Sequence, residues 1–161
     1  DHPRALMKIR DAVKPDLIFL DLEAEDADHA LSVIARRLGE AASLDADMVY
    51  QALKDREELG STSVGNGFAI PHCKLPRLES VVVALARVEH GVAFGDGKNH
   101  EPVRFFFVVL SPPDQPAEHL QVLSQIARAL KNNDLRAQLL EATENSEVAS
   151  SIRRAAEQEG L

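Results

Sequence analysis

Three side chains in this chain combine a reactive or charged group with an unexpected position, and each would suit an anion. The first is Arg56. With Val49 set at zero on a helical wheel, Leu53 falls at about 40°, Ala52 at about −60° and Leu59 at about −80°. Arg56 falls at about −20°, inside this apolar face, whereas Lys54, Asp55, Glu57 and Glu58 lie further out. A guanidinium turned inward is costly unless it meets an anion. The alternative is that Arg56, near its helix end, reaches back to solvent or pairs with a structural carboxylate. The second is His119. With Leu120 at zero, Leu123, Ala127 and Leu130 span about 0° to −80°, and His119 sits at about −100°. It belongs to the first turn of its helix, where free N–H groups and the positive dipole end favour an anion. A half-buried structural histidine is the alternative.

The third, His72, is constrained by its neighbours. Pro71 fixes its own φ and disfavours helix at Ile70. Gly65-Asn66-Gly67 permits a tight turn and close backbone approach just upstream. A histidine held at a strand end is a candidate nucleophile or proton carrier, and its imidazole is neutral near pH 7.

Sharper motifs are absent. Gly65-Asn66-Gly67 opens a GxGxxG, but Ile70 replaces the third glycine and Pro71-His72 follows where a helix should start, which argues against a dinucleotide site. There is no GxxxxGK[ST] loop, so ATP is not expected as direct donor. Cys73 adjoins His72, but adjacent side chains seldom aim at each other, and a buried thiol is expected instead. A zinc site built from His72, Cys73 and His119 has no ligand-spacing motif behind it. His29 on a helix, His90 and His100 in turns, and His2 near the start read as solvated surface residues.

These side chains need elements to position them. Leu17-Ile18-Phe19-Leu20 is a short strand candidate. Asp26 and Asp28 supply capping chemistry for a helix to about Ala42, with Leu31, Ile34 and Leu38 on its core side. Asp45 or Asp47 caps a second helix ending near Leu59-Gly60. From Ser61 to His72 the pattern predicts a turn, a short strand and an exposed loop ending at His72. Two buried strands follow at 81–88 and 103–110, separated by turn signals at Gly91, Gly95, Asp96-Gly97 and Asn99, with a small extra strand around Val92 to Phe94. Pro116 sits where a helix-starting proline belongs, and helices are predicted at 117–131, 134–142 and 145–158. The whole reads as an α/β protein: a single layered α/β/α domain over 7–161, with a central mixed β-sheet flanked by helices. Residues 1–6 precede Met7 and read as a remnant or upstream extension.

Composition agrees. The 161 residues carry 18 Lys and Arg against 26 Asp and Glu, a net charge of −8. That balance lacks the basic footprint of a nucleic-acid binder or of a partner for anionic membranes. The longest apolar runs, Val81–Ala86 and Phe105–Leu110, are far shorter than the roughly 18 residues a bilayer span needs. One cysteine excludes an internal disulfide. A cytoplasmic protein without membrane insertion is expected, and apolar patches on the terminal helices would support a homodimer.

The segment Arg56-Glu57-Glu58-Leu59-Gly60-Ser61-Thr62-Ser63-Val64-Gly65-Asn66-Gly67-Phe68-Ala69-Ile70-Pro71-His72 closely resembles the signature of enzyme IIA domains of the fructose/mannitol class. These belong to the bacterial phosphoenolpyruvate-dependent phosphotransferase system. Pro116-Ala117-Glu118-His119-Leu120 resembles the place where that family opens a helix with a second histidine, and Gly91-Val92-Ala93-Phe94-Gly95-Asp96-Gly97 its turn before the preceding strand. The likeness runs over nearly the whole chain from Met7. It implies that His72 accepts a phosphoryl group from phosphorylated HPr or its nitrogen-branch paralogue. Arg56 would neutralise the phosphate, and His119 would donate a hydrogen bond to it or orient the site. No cofactor or metal is implied, since the donor is already a phosphoramidate. The family has a sugar branch, which hands phosphate to an enzyme IIB, and a nitrogen-regulatory branch, which binds target proteins according to its phosphorylation state. Phe105–Leu110 with its Pro-rich turn lies nearer the regulatory branch. A binding module of another class, whose pocket holds an anion or a protein without being phosphorylated, is the competing expectation.

Overall fold

The computed structural model of the chain describes residues 7–95 and 101–161. The expected remnant at 1–6, with His2, and the turn residues Asp96, Gly97, Asn99 and His100 lie outside the described residues.

The sheet is built around β6 (Val103–Ser111), which is buried on both faces. Phe105, Phe107 and Val109 enter one core, and Phe106, Val108 and Leu110 enter the other. A strand covered on both sides must be apolar at every position rather than at alternate ones, hence the unbroken run Phe105–Leu110. On one side β6 pairs antiparallel with β5 (Val82–Val92), which in turn pairs in parallel with β1 (Ile18–Leu22). On the other side β6 takes β3 (Phe68–Ala69) and then β4 (His72–Lys74), both in parallel, while β2 (Ser63–Gly65) pairs antiparallel with β3. The result is a six-stranded mixed sheet in the order β1-β5-β6-β3-β2, with β4 beside β6.

Helices α2 (Ala27–Ala42) and α3 (Ala46–Glu58) cover one face. The other face carries α1 (Ile9–Ala12), α4 (Pro116–Ala129), α5 (Leu135–Glu141) and α6 (Asn145–Gln158). This is the layered α/β arrangement with a mixed sheet that the element pattern predicts. Asp26 caps α2 by accepting from the His29 amide, and Asp45 caps α3 by accepting from the amides of Asp47 and Met48. Pro116 occupies the first turn of α4. Arg87 joins the layers: its Nε donates to the Leu20 carbonyl and its terminal nitrogen to those of Leu139 and Ala142, at 3.2, 2.8 and 2.7 Å. No described helix is long and apolar enough to cross a membrane.

Four local expectations are corrected. His72 opens a strand, β4, instead of ending an exposed loop. Pro71 lacks an N–H, but its carbonyl still accepts from the Val109 amide at 3.0 Å, so the chain stays on the ladder. No extra strand forms at 92–94; β5 continues to Val92 through an irregular register, and the buried Phe94 ring meets Phe106 edge-on at 5.2 Å. His90 lies within that lengthened strand, exposed, not in a turn. Leu59, assigned by the wheel to the apolar face, is 85% exposed, because α3 stops at Glu58.

Candidate functional site

The turn ahead of His72 sets the local frame. β2 and β3 form a hairpin whose two loop residues, Asn66 and Gly67, have φ of 56° and 80°. That pair of left-handed residues matches the twist of the flanking strands, which is why Asn-Gly occurs there. The hairpin is tied down by Gly67, whose carbonyl accepts from the amides of Arg104 and Phe105, and by Arg136, whose Nε donates to the Asn66 carbonyl at 2.8 Å. Ile70 then pairs its amide with the Thr62 carbonyl at 2.9 Å.

His72 is half-buried at the start of β4. Its Nδ1 lies 2.7 Å from the Ile70 carbonyl oxygen. A carbonyl can only accept, so Nδ1 carries the hydrogen and Nε2 keeps its lone pair. Arg56, from the last turn of α3, donates its Nε–H to that Nε2 at 3.3 Å. Another guanidinium nitrogen donates to the Gly60 carbonyl at 2.9 Å, which fixes the fork from its outer side. Arg56 is thus half-buried near its helix end and turned toward His72. Burial lowers the pKa of His72, and the Arg56 guanidinium lowers it further, against the opposing pull of the Ile70 carbonyl and Glu57. The ring is therefore neutral at pH 7.

His119 is buried in the first turn of α4, with its ring centroid 5.5 Å from that of His72 and the planes tilted by 56°. Its Nδ1 contacts Ser111 Oγ at 2.5 Å. Burial, then the charges of His72 and Lys74, hold its pKa below the ordinary value. The N-cap residue of α4, Gln115, makes no side-chain cap, so the first-turn amides are not taken up by it.

Arg56, His72 and His119, drawn from three separate elements, are thus brought to one place. Cys73 is not part of it. It faces the core beneath α2 and α3, and burial pushes its thiol up to about 12, far from a reactive thiolate. His72, Cys73 and His119 therefore do not converge as zinc ligands; among the described residues no group of three His, Cys, Asp or Glu could hold a metal. His29 is engaged locally, its Nδ1 accepting from the Glu25 amide.

Sequence reasoning missed three contributors. The Ile70 carbonyl is invisible to any side-chain pattern. Glu57 was placed on the outer face, yet it accepts from the amide and hydroxyl of Thr62 at 2.9 and 2.6 Å and so ties the end of α3 to the segment leading into β2. Ser111 falls just past the strand predicted at 103–110. Its signal was there: a hydroxyl closing a wholly apolar, doubly buried run just before the helix that carries His119.

A neutral imidazole with a free Nε2 lone pair, a guanidinium at that atom and a second imidazole alongside form a nucleophile with charge neutralisation around it. Comparisons with known proteins place the chain in a family. Residues 11–155 match the family model described as phosphoenolpyruvate-dependent sugar phosphotransferase system, EIIA 2. The chain is 35% identical over 146 residues to a nitrogen regulatory protein of Bradyrhizobium diazoefficiens, covering 91% of this chain and 94% of that one. It is 39% identical over 98 residues to the fructose-specific EIIA component of Haloferax volcanii, covering 61% and 63%. Among solved structures, the nitrogen regulatory protein IIA-Ntr of Neisseria meningitidis superposes with a TM-score of 0.81 at 29% identity, over 89% of this chain and 98% of that one.

Proposed function

Because the chain belongs to the EIIA type-2 family of the phosphoenolpyruvate-dependent phosphotransferase system, we propose that it is a phosphohistidine carrier that takes its phosphoryl group on Nε2 of His72. Members of this family work in phosphotransfer with a phosphocarrier and EIIB partners. The observation that carries the assignment is the 2.7 Å contact from Nδ1 to the Ile70 carbonyl, which leaves Nε2 as the nucleophilic atom beside Arg56.

The donor is phosphorylated HPr or its nitrogen-branch paralogue, entering with a phosphoimidazolium ring whose second nitrogen carries a hydrogen. As the donor's P–N bond breaks, the His72 Nε2 lone pair forms the new one, and a metaphosphate-like unit passes between two nitrogens roughly in line. The donor ring leaves neutral. The His72 ring becomes cationic, carrying Nδ1–H and Nε2–P, and the Ile70 carbonyl stabilises that charge by continuing to accept from Nδ1. Arg56 has to release Nε2 and take up phosphoryl oxygens, a small displacement that keeps the guanidinium at the developing charge. His119, on the other side, donates to a phosphoryl oxygen or orients it. Positioning and charge neutralisation are the main demands of this reaction, and these three side chains supply both.

A protein donor needs a surface to dock on. Leu59 and Leu120, near Arg56 and His119 in sequence, are 85% and 66% exposed. The acidic chain, at net −8, suits a partner with a basic contact face. Of the two branches we assign the regulatory one. Nitrogen regulatory proteins match at 35–40% identity over 69–91% of this chain, whereas sugar-specific relatives match at 39% over 61% of it or, over 84–94%, at only 23–28% identity. In this reading the phosphorylation state governs binding to a target protein in the cytoplasm, and the chain from Met7 onward acts as one domain.

Intact mass after incubation with phosphoenolpyruvate, enzyme I and HPr tests the assignment. The wild-type protein gains one phosphoryl mass and His72→Ala gains none. Uptake by His72→Ala would move the acceptor elsewhere, and no uptake by wild type would leave the site a binding pocket for anions or proteins.

A further inference from the structure

His72 and His119 lie side by side, but their Nδ1 atoms meet different chemistry. For His72 the neighbour is a carbonyl oxygen; for His119 it is the Ser111 hydroxyl. A carbonyl has no proton to give and so forces Nδ1–H. A hydroxyl has one proton and can donate it. Ser111 ends β6, is fully buried, and is anchored by its backbone, the carbonyl accepting from the Leu75 amide at 2.9 Å. We infer that Ser111 is a positioning residue: its O–H donates to Nδ1 of His119, which keeps the ring hydrogen on Nε2 and aims that N–H at the phosphoryl group held on His72. The inference rests on the phosphocarrier reading for its purpose, but not for the tautomer itself.

The two partners thereby give neighbouring rings opposite roles. His72 presents a lone pair at Nε2 and acts as nucleophile. His119 presents a hydrogen at Nε2 and acts as donor. The reverse arrangement at His119, with Nδ1–H donating to Ser111, would turn a lone pair toward phosphoryl oxygens. It would also leave the buried hydroxyl proton in need of another acceptor. Contact at 2.5 Å is within the range of O–H donors.

Long-range proton–nitrogen correlation spectra of the histidine rings in uniformly 15N-labelled protein read the tautomers directly. The wild-type protein is expected to show His72 as Nδ1–H and His119 as Nε2–H. In Ser111→Ala the His119 signals shift toward mixed tautomers while those of His72 stay in place. Phosphoryl uptake from phosphorylated HPr slows about three- to tenfold, the worth of one net hydrogen bond. Ser111→Thr, which keeps the hydroxyl, restores both readouts, whereas a role in packing alone would move neither the His119 tautomer nor its rescue. An Nδ1–H tautomer at His119 in the wild type, or unchanged spectra and uptake in Ser111→Ala, overturns the inference. If wild type shows the stated tautomers yet takes up no phosphoryl group, the carrier reading fails while the Ser111 assignment stands on the spectra.

Discussion

Arg56 is the residue whose two readings separate most cleanly. Replacing it with Ala removes the Nε contact to His72 at 3.3 Å and the bond to the Gly60 carbonyl at 2.9 Å. The second bond is exposed and closes the end of α3, so its loss costs about 1 kcal/mol of stability or less. In the proposed transfer, the first sits where charge builds. Loss of one preorganised donor to a developing anion slows a reaction by about 10²–10³-fold. Arg56 is only half-buried, and a unit-charge contact at about 4 Å is worth about 4 kcal/mol near a protein surface against about 1 kcal/mol in water. The expected slowing is therefore at the lower end, about 10²-fold. A second effect accompanies it. The guanidinium helps to hold the His72 pKa down, so Arg56→Ala lets that pKa rise, and uptake falls off at higher pH than in wild type.

The assay is rapid-quench intact mass with phosphorylated HPr between pH 5.5 and 8, together with thermal unfolding. Arg56→Lys keeps the charge but loses the fork, and should fall between wild type and Ala. If Arg56 merely closed its helix, Arg56→Ala would show a lowered Tm with uptake within about threefold of wild type and an unmoved pH profile. That result would refute the reasoning.

Three other outcomes are expected. The folded pKa values of His72 and His119 both lie below 6.5, so the unfolded chain binds protons first on acidification. Stability is fully present above about pH 6.5 and is lost as pH falls below it toward the folded values. Unfolding midpoints from pH 7.5 to 5 should fall more steeply for wild type than for a His72→Gln/His119→Gln double variant, and equal slopes would contradict the shifts. Cys73, buried with its thiol pushed up to about 12, should resist iodoacetamide at pH 7.5 in the folded protein and react in urea; prompt labelling of the native protein would be inconsistent with its placement. At Gly91, with φ of 70°, an added Cβ would lie 2.8 Å from Cβ of Pro102. Gly91→Ala should cost about 1–3 kcal/mol in urea unfolding, and an unchanged midpoint would show that the β5–β6 bulge yields more readily than its packing implies.

Legibility followed the physics of each element. Asp26 and Asp45 were readable as caps because a short carboxylate ahead of an amphipathic run has one main use. β6 was readable because only a strand covered on both faces needs Phe105–Leu110 in succession. The wheel puts Arg56 on the side of α3 that turns toward His72, yet one of its four markers, Leu59, lies beyond the helix end, which periodicity cannot locate. β4 was missed because a three-residue strand after a proline has no pattern of its own; it exists only because β6 offers it a partner. The same limit hid the Ile70 carbonyl and the Ser111 hydroxyl, whose roles depend on which ring each one meets.

The site's construction has a consequence for what disturbs it. β6 fixes both histidines: His72 sits opposite Val109 in the parallel β4 pairing, and His119 is held by Ser111 at the end of the same strand. The spacing of the two rings is therefore set within one rigid element buried on both faces. Arg56 arrives from the opposite layer, on α3, and its contact depends on how that helix ends, through Gly60, Glu57 and Thr62. A perturbation of the segment 57–62, such as Thr62→Ala, should therefore loosen the guanidinium without moving the histidines. It would reproduce part of the Arg56→Ala rate loss with both ring tautomers intact. On the proposed reading, nucleophile and charge neutraliser can be uncoupled in this way because they belong to different layers of the fold.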